Sequence, residues 1–471
     1  MNLIEQAFSA SDFRRFGHEL IDLLADHLEN TPNDKVLPWQ EPADALAYWQ
    51  ADFAKPLTNN PTEIFADIVS KSIKLHHPHY MGHQVTPPVP LAALSGVLTG
   101  LINNGMAVYE MGLVSNPLER IVTDFIAQYM GFDSQSGGFL TSGGTLANLT
   151  ALLAARAAKA PDDVWELGNG HLKLAVMVSE EAHYCVDRAV RVMGLGDAGI
   201  IKVPINDRYQ MQTDRLESLL ENAKNQGIQV FCVVASACST STGSYDDLGA
   251  VADFCQKHNI WLHVDGAHGG AVVFSDKYKH LIDGIDRADS VIIDLHKMMM
   301  MPALATAVIF RNGNDGYQTF HQKAQYLWDN PESYDWFNSG KRTFECTKLM
   351  MSVKIYVTLR TYGVQLLADN VDTLHGLAVD FAELVQKNKR FELAVSPQSN
   401  IVCFRFLGKK EQNINELNTK IRKQILNDGN FYIVQTLLNG QVYLRVSLMN
   451  PLTKSKDLIC LLDTIENITV E

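Results

Sequence analysis

Apolar and polar positions along this chain repeat with two different periods. Near the N-terminus Phe13, Phe16, Leu20, Leu23, Leu24 and Leu28 recur at helical spacing, the stripe of an amphipathic helix, before Thr31-Pro-Asn-Asp34 breaks it. Farther on, continuous apolar runs over 172–179, 228–236, 260–265, 291–294 and 303–310 are separated by helix-period stretches. Runs without alternation suit strands buried on both faces, so the pattern predicts an α/β fold, a mostly parallel sheet with helices on both sides. After a helical stretch over 344–362 the runs shorten, and 432–438 and 441–447 flank Asn439-Gly440, a tight-hairpin signal. The chain is thus expected to comprise a helical arm (1–85), a large domain (86–345) and a small C-terminal α+β domain (346–471).

Composition narrows the class. With 471 residues, 46% of them apolar, the chain is too long for one small core and suits an enzyme-sized globular protein. A net charge of −13 without a basic block argues against nucleic acid or an anionic membrane surface as partner. The longest apolar window, 91–102, is short and interrupted by glycine, which argues against a membrane span. Acid enters early in Met1-Asn-Leu-Ile-Glu5, so no secretion signal is read there. Seven scattered cysteines with no pair at zinc-site spacing fit reduced thiols in the cytoplasm. The stretch His76-His-Pro-His-Tyr-Met-Gly-His83 is rich in metal-binding side chains, but Pro78 prevents a helical face of ligands and no cysteine or acid joins it. We read it as a pocket-lining loop, with no metal expected.

Three segments carry candidate chemistry. The run Ser290-Val-Ile-Ile-Asp-Leu-His296 ends at Lys297, and Trp261-Leu-His-Val-Asp265 ends in a carboxylate that would be costly to ionise without a cation beside it. Thr141-Ser-Gly-Gly-Thr-Leu-Ala-Asn148 opens a helical stretch with glycines and hydroxyls, suited to a phosphate held by free N–H groups at a positive helix end. Each has an ordinary reading alone: a surface lysine, a capping acid, a Gly-Gly turn. Together, amine, carboxylate and phosphate cradle point to pyridoxal 5'-phosphate, which needs a lysine for its aldehyde, an anion at its ring nitrogen and donors for its phosphate. His183, following a strand, could stack on a planar ring, although a lone histidine is more often structural. The hydroxyl-rich segment Cys238-Ser-Thr-Ser-Thr-Gly-Ser-Tyr-Asp246 suits a polar pocket wall or a satisfied turn.

Eight ordered segments resemble the group II pyridoxal-phosphate-dependent amino-acid decarboxylases, the family of glutamate, diaminobutyrate and aromatic-amino-acid decarboxylases. They are His77-Pro-His-Tyr80, Thr141–Asn148 as spelled above, Ala182-His-Tyr184, Thr240-Ser-Thr-Gly-Ser-Tyr-Asp246, His263-Val-Asp-Gly-Ala267, Asp294-Leu-His-Lys297, Arg342-Thr-Phe-Glu-Cys-Thr-Lys348 and Tyr443-Leu-Arg-Val-Ser-Leu-Met-Asn-Pro451. The resemblance implies a fold type I enzyme with a seven-stranded-type, mostly parallel sheet. It implies that Lys297 forms the Schiff base, Asp265 pairs with the ring nitrogen and His183 stacks on the ring. Gly144, Thr145 and His296 would lie at the phosphate, Thr240 and Ala267 would pack around the ring, and Ser142, Gly143 and Asp294 would also bind the cofactor. His79, Tyr80 and Arg445 would meet the substrate. A lid tyrosine would protonate the substrate carbon from a neighbouring subunit, with Tyr334 the first candidate and Tyr326 the second. The chain departs from the family pattern where Asp265-Gly-Ala is followed by His268.

The expected activity is α-decarboxylation of a non-aromatic L-amino acid by a cytoplasmic homodimer with shared active sites. Rivals are an aminotransferase or carbon–sulfur lyase, a decarboxylation-dependent aldehyde synthase, and a scaffold protein without cofactor. His296 before Lys297 and the Glu345-Cys-Thr-Lys348 segment favour the decarboxylase branch.

Overall fold

The computed structural model describes residues 2–58, 60–320, 334–409 and 413–468. The chain divides into two compact units, one comprising 84–379 and 395–402, the other 1–83, 380–394 and 403–471.

The first unit is built on a seven-stranded sheet of β1 (Gly137–Thr141), β2 (Leu174–Ser179), β3 (Ile200–Val203), β4 (Gln229–Ser236), β5 (Trp261–Asp265), β6 (Ser290–Asp294) and β7 (Thr306–Phe310). The order is β1-β7-β6-β5-β4-β2-β3, and β7 alone runs antiparallel to its neighbours. β1, β2, β5, β6 and β7 are buried along their whole length, as their uninterrupted apolar or glycine-containing sequences require. Five of these strands match apolar runs of the sequence; β1 and β3 do not. β1 is Gly-Gly-Phe-Leu-Thr, whose glycines hide the strand signal, and β3 is only four residues long. Because β1, β2, β4, β5 and β6 all point the same way, their C-terminal ends meet along one edge of the sheet, where open α/β sheets gather ligands. Helix Gly144–Lys159 crosses the middle of the sheet and packs on Tyr184–Val192, sharing a core with Phe139, Val176, Val234, Trp261 and Val308.

The second unit holds a four-stranded sheet, β8 (Phe391–Leu393), β9 (Ile401–Phe406), β10 (Val434–Leu438) and β11 (Gln441–Ser447), in the order β10-β11-β9-β8. The expected hairpin is there: β10 pairs antiparallel with β11 across Asn439 and Gly440, both at positive φ (48° and 75°), the backbone a two-residue turn demands. The N-terminal residues belong to this unit because Met81 N–H donates to Tyr432 O at 3.0 Å, Ser447 N–H to Met81 O at 2.8 Å and Tyr432 N–H to His79 O at 3.1 Å. The compact units therefore cut the chain differently from the linear order of arm, large and small domain. Helix Ala10–Asn30, capped by Ser9 accepting from Asp12 N–H, buries none of its residues.

Candidate active site

The edge formed by the C-terminal strand ends encloses a cavity of about 310 Å³ lined by 17 residues, among them Lys297, Asp265, His183 and the Ser142–Thr145 turn. That volume is at the low end for small-ligand sites. Five strands contribute residues beyond their C-terminal ends: β1 the glycine turn, β2 His183, β4 Cys238 and Thr240, β5 Ala267 and His268, β6 His296 and Lys297.

Lys297 Nζ lies 3.0 Å from Asp294 Oδ2. Burial alone would push the ammonium down, but the carboxylate of Asp294, its hydrogen bond and the more distant Asp265 outweigh it and hold Lys297 above the ordinary lysine value. Burial likewise opposes charge on Asp294, and Lys297, His296 and a hydrogen bond from Thr306 Oγ1 override it, so the carboxyl sits below its ordinary value. Both ends of the pair are therefore charged. His296 Nδ1 lies 2.9 Å from the Ala305 carbonyl, which fixes its ring beside this pair.

Asp265, 8% exposed, accepts from Asn148 Nδ2 at 3.1 Å on one oxygen and from Ala267 N–H at 3.1 Å on the other. His183 is the N-cap of helix Tyr184–Val192, its Nδ1 accepting from Cys185 N–H at 3.3 Å. That bond leaves Nε2 to carry the proton of a neutral ring, and burial, reinforced by Lys297 and only partly offset by Asp265, lowers the histidine pKa so that the ring stays neutral. A neutral imidazole suits stacking against an aromatic ring.

Helix Gly144–Lys159 starts at Gly143, and no side chain caps it. Sixteen residues of aligned peptide dipoles thus present their first N–H groups to the cavity. Gly143 sits at φ +108°, outside the range of L side chains, and a Cβ on Gly144 would lie 3.2 Å from Asp294 Oδ2. Ser142 Oγ donates to Glu345 Oε1 at 2.7 Å, so its single proton is already committed. An uncapped helix N-terminus for a phosphate, a buried carboxylate for a ring nitrogen and an amine for an aldehyde fit pyridoxal phosphate, and all face one cavity.

The cavity brings together Ser142, Gly143, Gly144, Thr145, His183, Thr240, Asp265, Ala267, Asp294, His296 and Lys297. Other candidates lie elsewhere. His79, Tyr80 and Arg445 belong to the second unit. There His79 stacks on Phe431 at 4.0 Å and its Nε2 lies 3.3 Å from Asp457, while Tyr80 and Arg445 are buried. Tyr334 does not line the cavity: it is 56% exposed with its ring against Tyr317. Tyr326 lies outside the described residues. Sequence reasoning assigned no role to Asn148, Cys185, Ser236, His268 or Leu304, all of which line the cavity. Asn148 was within reach, being one helical turn after Gly144. Among the described residues no group of three or more His, Cys, Asp or Glu side chains could hold a metal ion, and no helix is long and apolar enough to cross a membrane.

Comparison with known proteins agrees with this chemistry. A family model described as the pyridoxal-dependent decarboxylase conserved domain matches residues 21–407. The chain is 26% identical over 473 residues to an aromatic-L-amino-acid decarboxylase of Bacillus atrophaeus, covering 98% of this chain and 96% of the relative. It is 26% identical over 468 residues to an L-2,4-diaminobutyrate decarboxylase of Acinetobacter baumannii, covering 95% and 91%. Among solved structures, mouse CSAD in its apo form superposes with a TM-score of 0.90 at 26% identity, covering 98% of this chain and 99% of that one.

Proposed function

The chain belongs to the pyridoxal-dependent decarboxylases, and from that premise we propose that it removes carbon dioxide from a non-aromatic L-amino acid at the cavity around Lys297. It is a pyridoxal-phosphate-dependent carboxy-lyase of fold type I. The observation that carries the reading is the convergence of Lys297, Asp265, His183 and the uncapped Gly144 helix on one cavity. Bound pyridoxal phosphate supplies the electron sink that takes up the pair left behind when the carboxylate departs.

The residues divide the remaining work. Lys297 would carry the covalent link to the cofactor, and Asp294 Oδ2 at 3.0 Å holds its ammonium in place in the free site. Asp265 holds a proton on the ring nitrogen by pairing with it, an interaction strong in a site shielded from water. The first turn of helix Gly144–Lys159, with Thr145, binds the phosphate, and His183 covers one face of the ring. His79, Tyr80 and Arg445 are our candidates for the substrate, and Tyr334 for the proton donor to Cα. The lean toward a non-aromatic substrate rests on the described lining of the cavity, in which Leu304 is the one large apolar side chain and no Phe, Tyr or Trp occurs. It has company in the diaminobutyrate decarboxylase among the relatives.

We further propose a homodimer. Leu94, Val97, Leu98, Leu101 and Ile102 leave one helix with a large exposed apolar surface, more than a lone subunit usually carries. Seven cysteines, none of them in a disulfide, and the acidic balance support a reducing, cytoplasmic setting with small-molecule rather than nucleic-acid partners.

Carbon dioxide release from the purified protein, screened over the common amino acids and diaminobutyrate, tests the activity. Lys297→Ala is expected to remove both the visible absorbance of the lysine-linked cofactor and turnover. A borohydride-stable adduct on another lysine would overturn the assignment, and release only from aromatic substrates would overturn the proposed class.

A further inference from the structure

From Asn148 on the cavity wall, a line of polar side chains runs into an otherwise apolar core. Asn148 Oδ1 lies 2.9 Å from His263 Nε2, His263 Nδ1 lies 2.9 Å from Ser290 Oγ, and Trp261 Nε1 donates to Ser290 Oγ at 2.9 Å. Trp261, His263 and Asp265 alternate along β5 and so share one face, and Ser290 is the residue of β6 in register with His263. His263 and Ser290 are fully buried and Asn148 nearly so.

The direction of the bonds follows from the two ends of the line taken together. At one end, Asn148 Nδ2 faces the Asp265 carboxylate and the Gly144 carbonyl, both at 3.1 Å. Turning the amide over would set oxygen against oxygen, so Nδ2 donates there and Oδ1 must accept from His263 Nε2–H. At the other end, an indole N–H can only donate, so Ser290 Oγ accepts from Trp261 and its own proton is available to His263 Nδ1, the acceptor that the Asn148 end makes it. The Asn148 end demands the neutral Nε2–H tautomer, and the Ser290 end accommodates it. Burial, which pushes His263 down to about 4, agrees with it.

We propose that Asn148, His263 and Ser290 are positioning residues: a one-way hydrogen-bond relay, anchored on Trp261, that delivers a donor to Asp265 and fixes its carboxylate as an anion facing the cofactor's ring nitrogen. The proposal rests on the reading that Asp265 meets that nitrogen. Chains of bonds aligned in one sense polarise each other, so a change at the far end is felt at Asp265. A purely structural role would require only that each polar group be satisfied, and would leave the ring nitrogen indifferent to Ser290.

Two measurements test this. In the cofactor-free protein, the imidazole 15N shifts of His263 should report the neutral Nε2–H tautomer at pH 7; the Nδ1–H tautomer or an imidazolium would overturn the relay. In the holoenzyme carrying pyridoxal phosphate labelled with 15N in the ring, Ser290→Ala should move the ring-nitrogen resonance toward the unprotonated position and lower kcat roughly five- to tenfold at unchanged KM, the loss of about one hydrogen bond. Ser290→Thr, which keeps the hydroxyl, should restore both. Asp265→Asn serves as reference. If it leaves the ring nitrogen protonated, the placement of Asp265 fails. If Asp265→Asn shifts the resonance and neither Ser290→Ala nor Asn148→Ala does, the relay alone fails.

Discussion

At the residue scale, this site works by opposing burial with paired charge. Burial opposes the charge on both Lys297 and Asp294, and at 3.0 Å they keep each other ionised, so the lysine is stored as an ammonium against its carboxylate. Protonation of Cα makes a separate demand. Tyr334 rests on Tyr317 outside the cavity wall, so to reach a reacting carbon it would have to act by lid movement or from a neighbouring subunit. Tyr334→Phe is expected to leave carbon dioxide release intact while amine yield falls and aldehyde with ammonia appears in air. Product analysis under air and under argon checks it. Unchanged amine in Tyr334→Phe with loss in Tyr326→Phe would transfer the role to Tyr326.

At the scale of elements, the pair Lys348–Glu119 ties helix Ser115–Tyr129 to the segment before helix Met351–Tyr362, with N–O 2.6 Å and both side chains almost wholly buried. Lys348 also donates to the Leu140 carbonyl of β1 at 2.6 Å, just before the glycine turn. Burial lowers the Lys348 pKa, partly countered by Glu119, so the charge persists only while its partner does. Lys348→Met is expected to cost about 3–5 kcal/mol because it strands a buried carboxylate. Lys348→Met with Glu119→Leu should recover most of that loss. Denaturant midpoints of the two variants decide it, and equal loss in both would show that the pair is not the cause.

At the scale of the whole molecule, the exposed apolar side chains of helix Pro90–Ile102 are joined by Leu113 and Val114 in the same unit, and Leu3, Ile4, Phe8 and Phe13 are exposed in the other. Association with a second copy would cover such surfaces, and a two-fold dimer buries the same patch on both chains. Leu98→Asp with Leu101→Asp is expected to convert the proposed dimer to monomer and abolish turnover, since the active sites we propose it shares would come apart. Sedimentation velocity with a parallel activity assay checks this. An active wild-type monomer would refute the dimer.

Much of this protein was legible in its sequence, wherever physics acts locally. Continuous apolar runs mark strands buried on both faces, Asn439-Gly440 marks a turn that needs two positive φ angles, and Gly143 and Gly144 mark a helix start that no side chain caps. The same local logic sets Lys297 and Asp265 at strand ends. β1 escaped because its glycines carry no strand signal, and β3 because four residues make too short a run. What only tertiary structure decided are the contacts between segments far apart in the chain: that residues 1–83 join the C-terminal sheet through backbone bonds to Tyr432 and Ser447, and that Asn148 joins Asp265 to His263. Periodicity shows which face of an element is buried but not which distant group will satisfy a polar atom on that face. That partner is chosen only when the sheet assembles and each buried donor must find an acceptor.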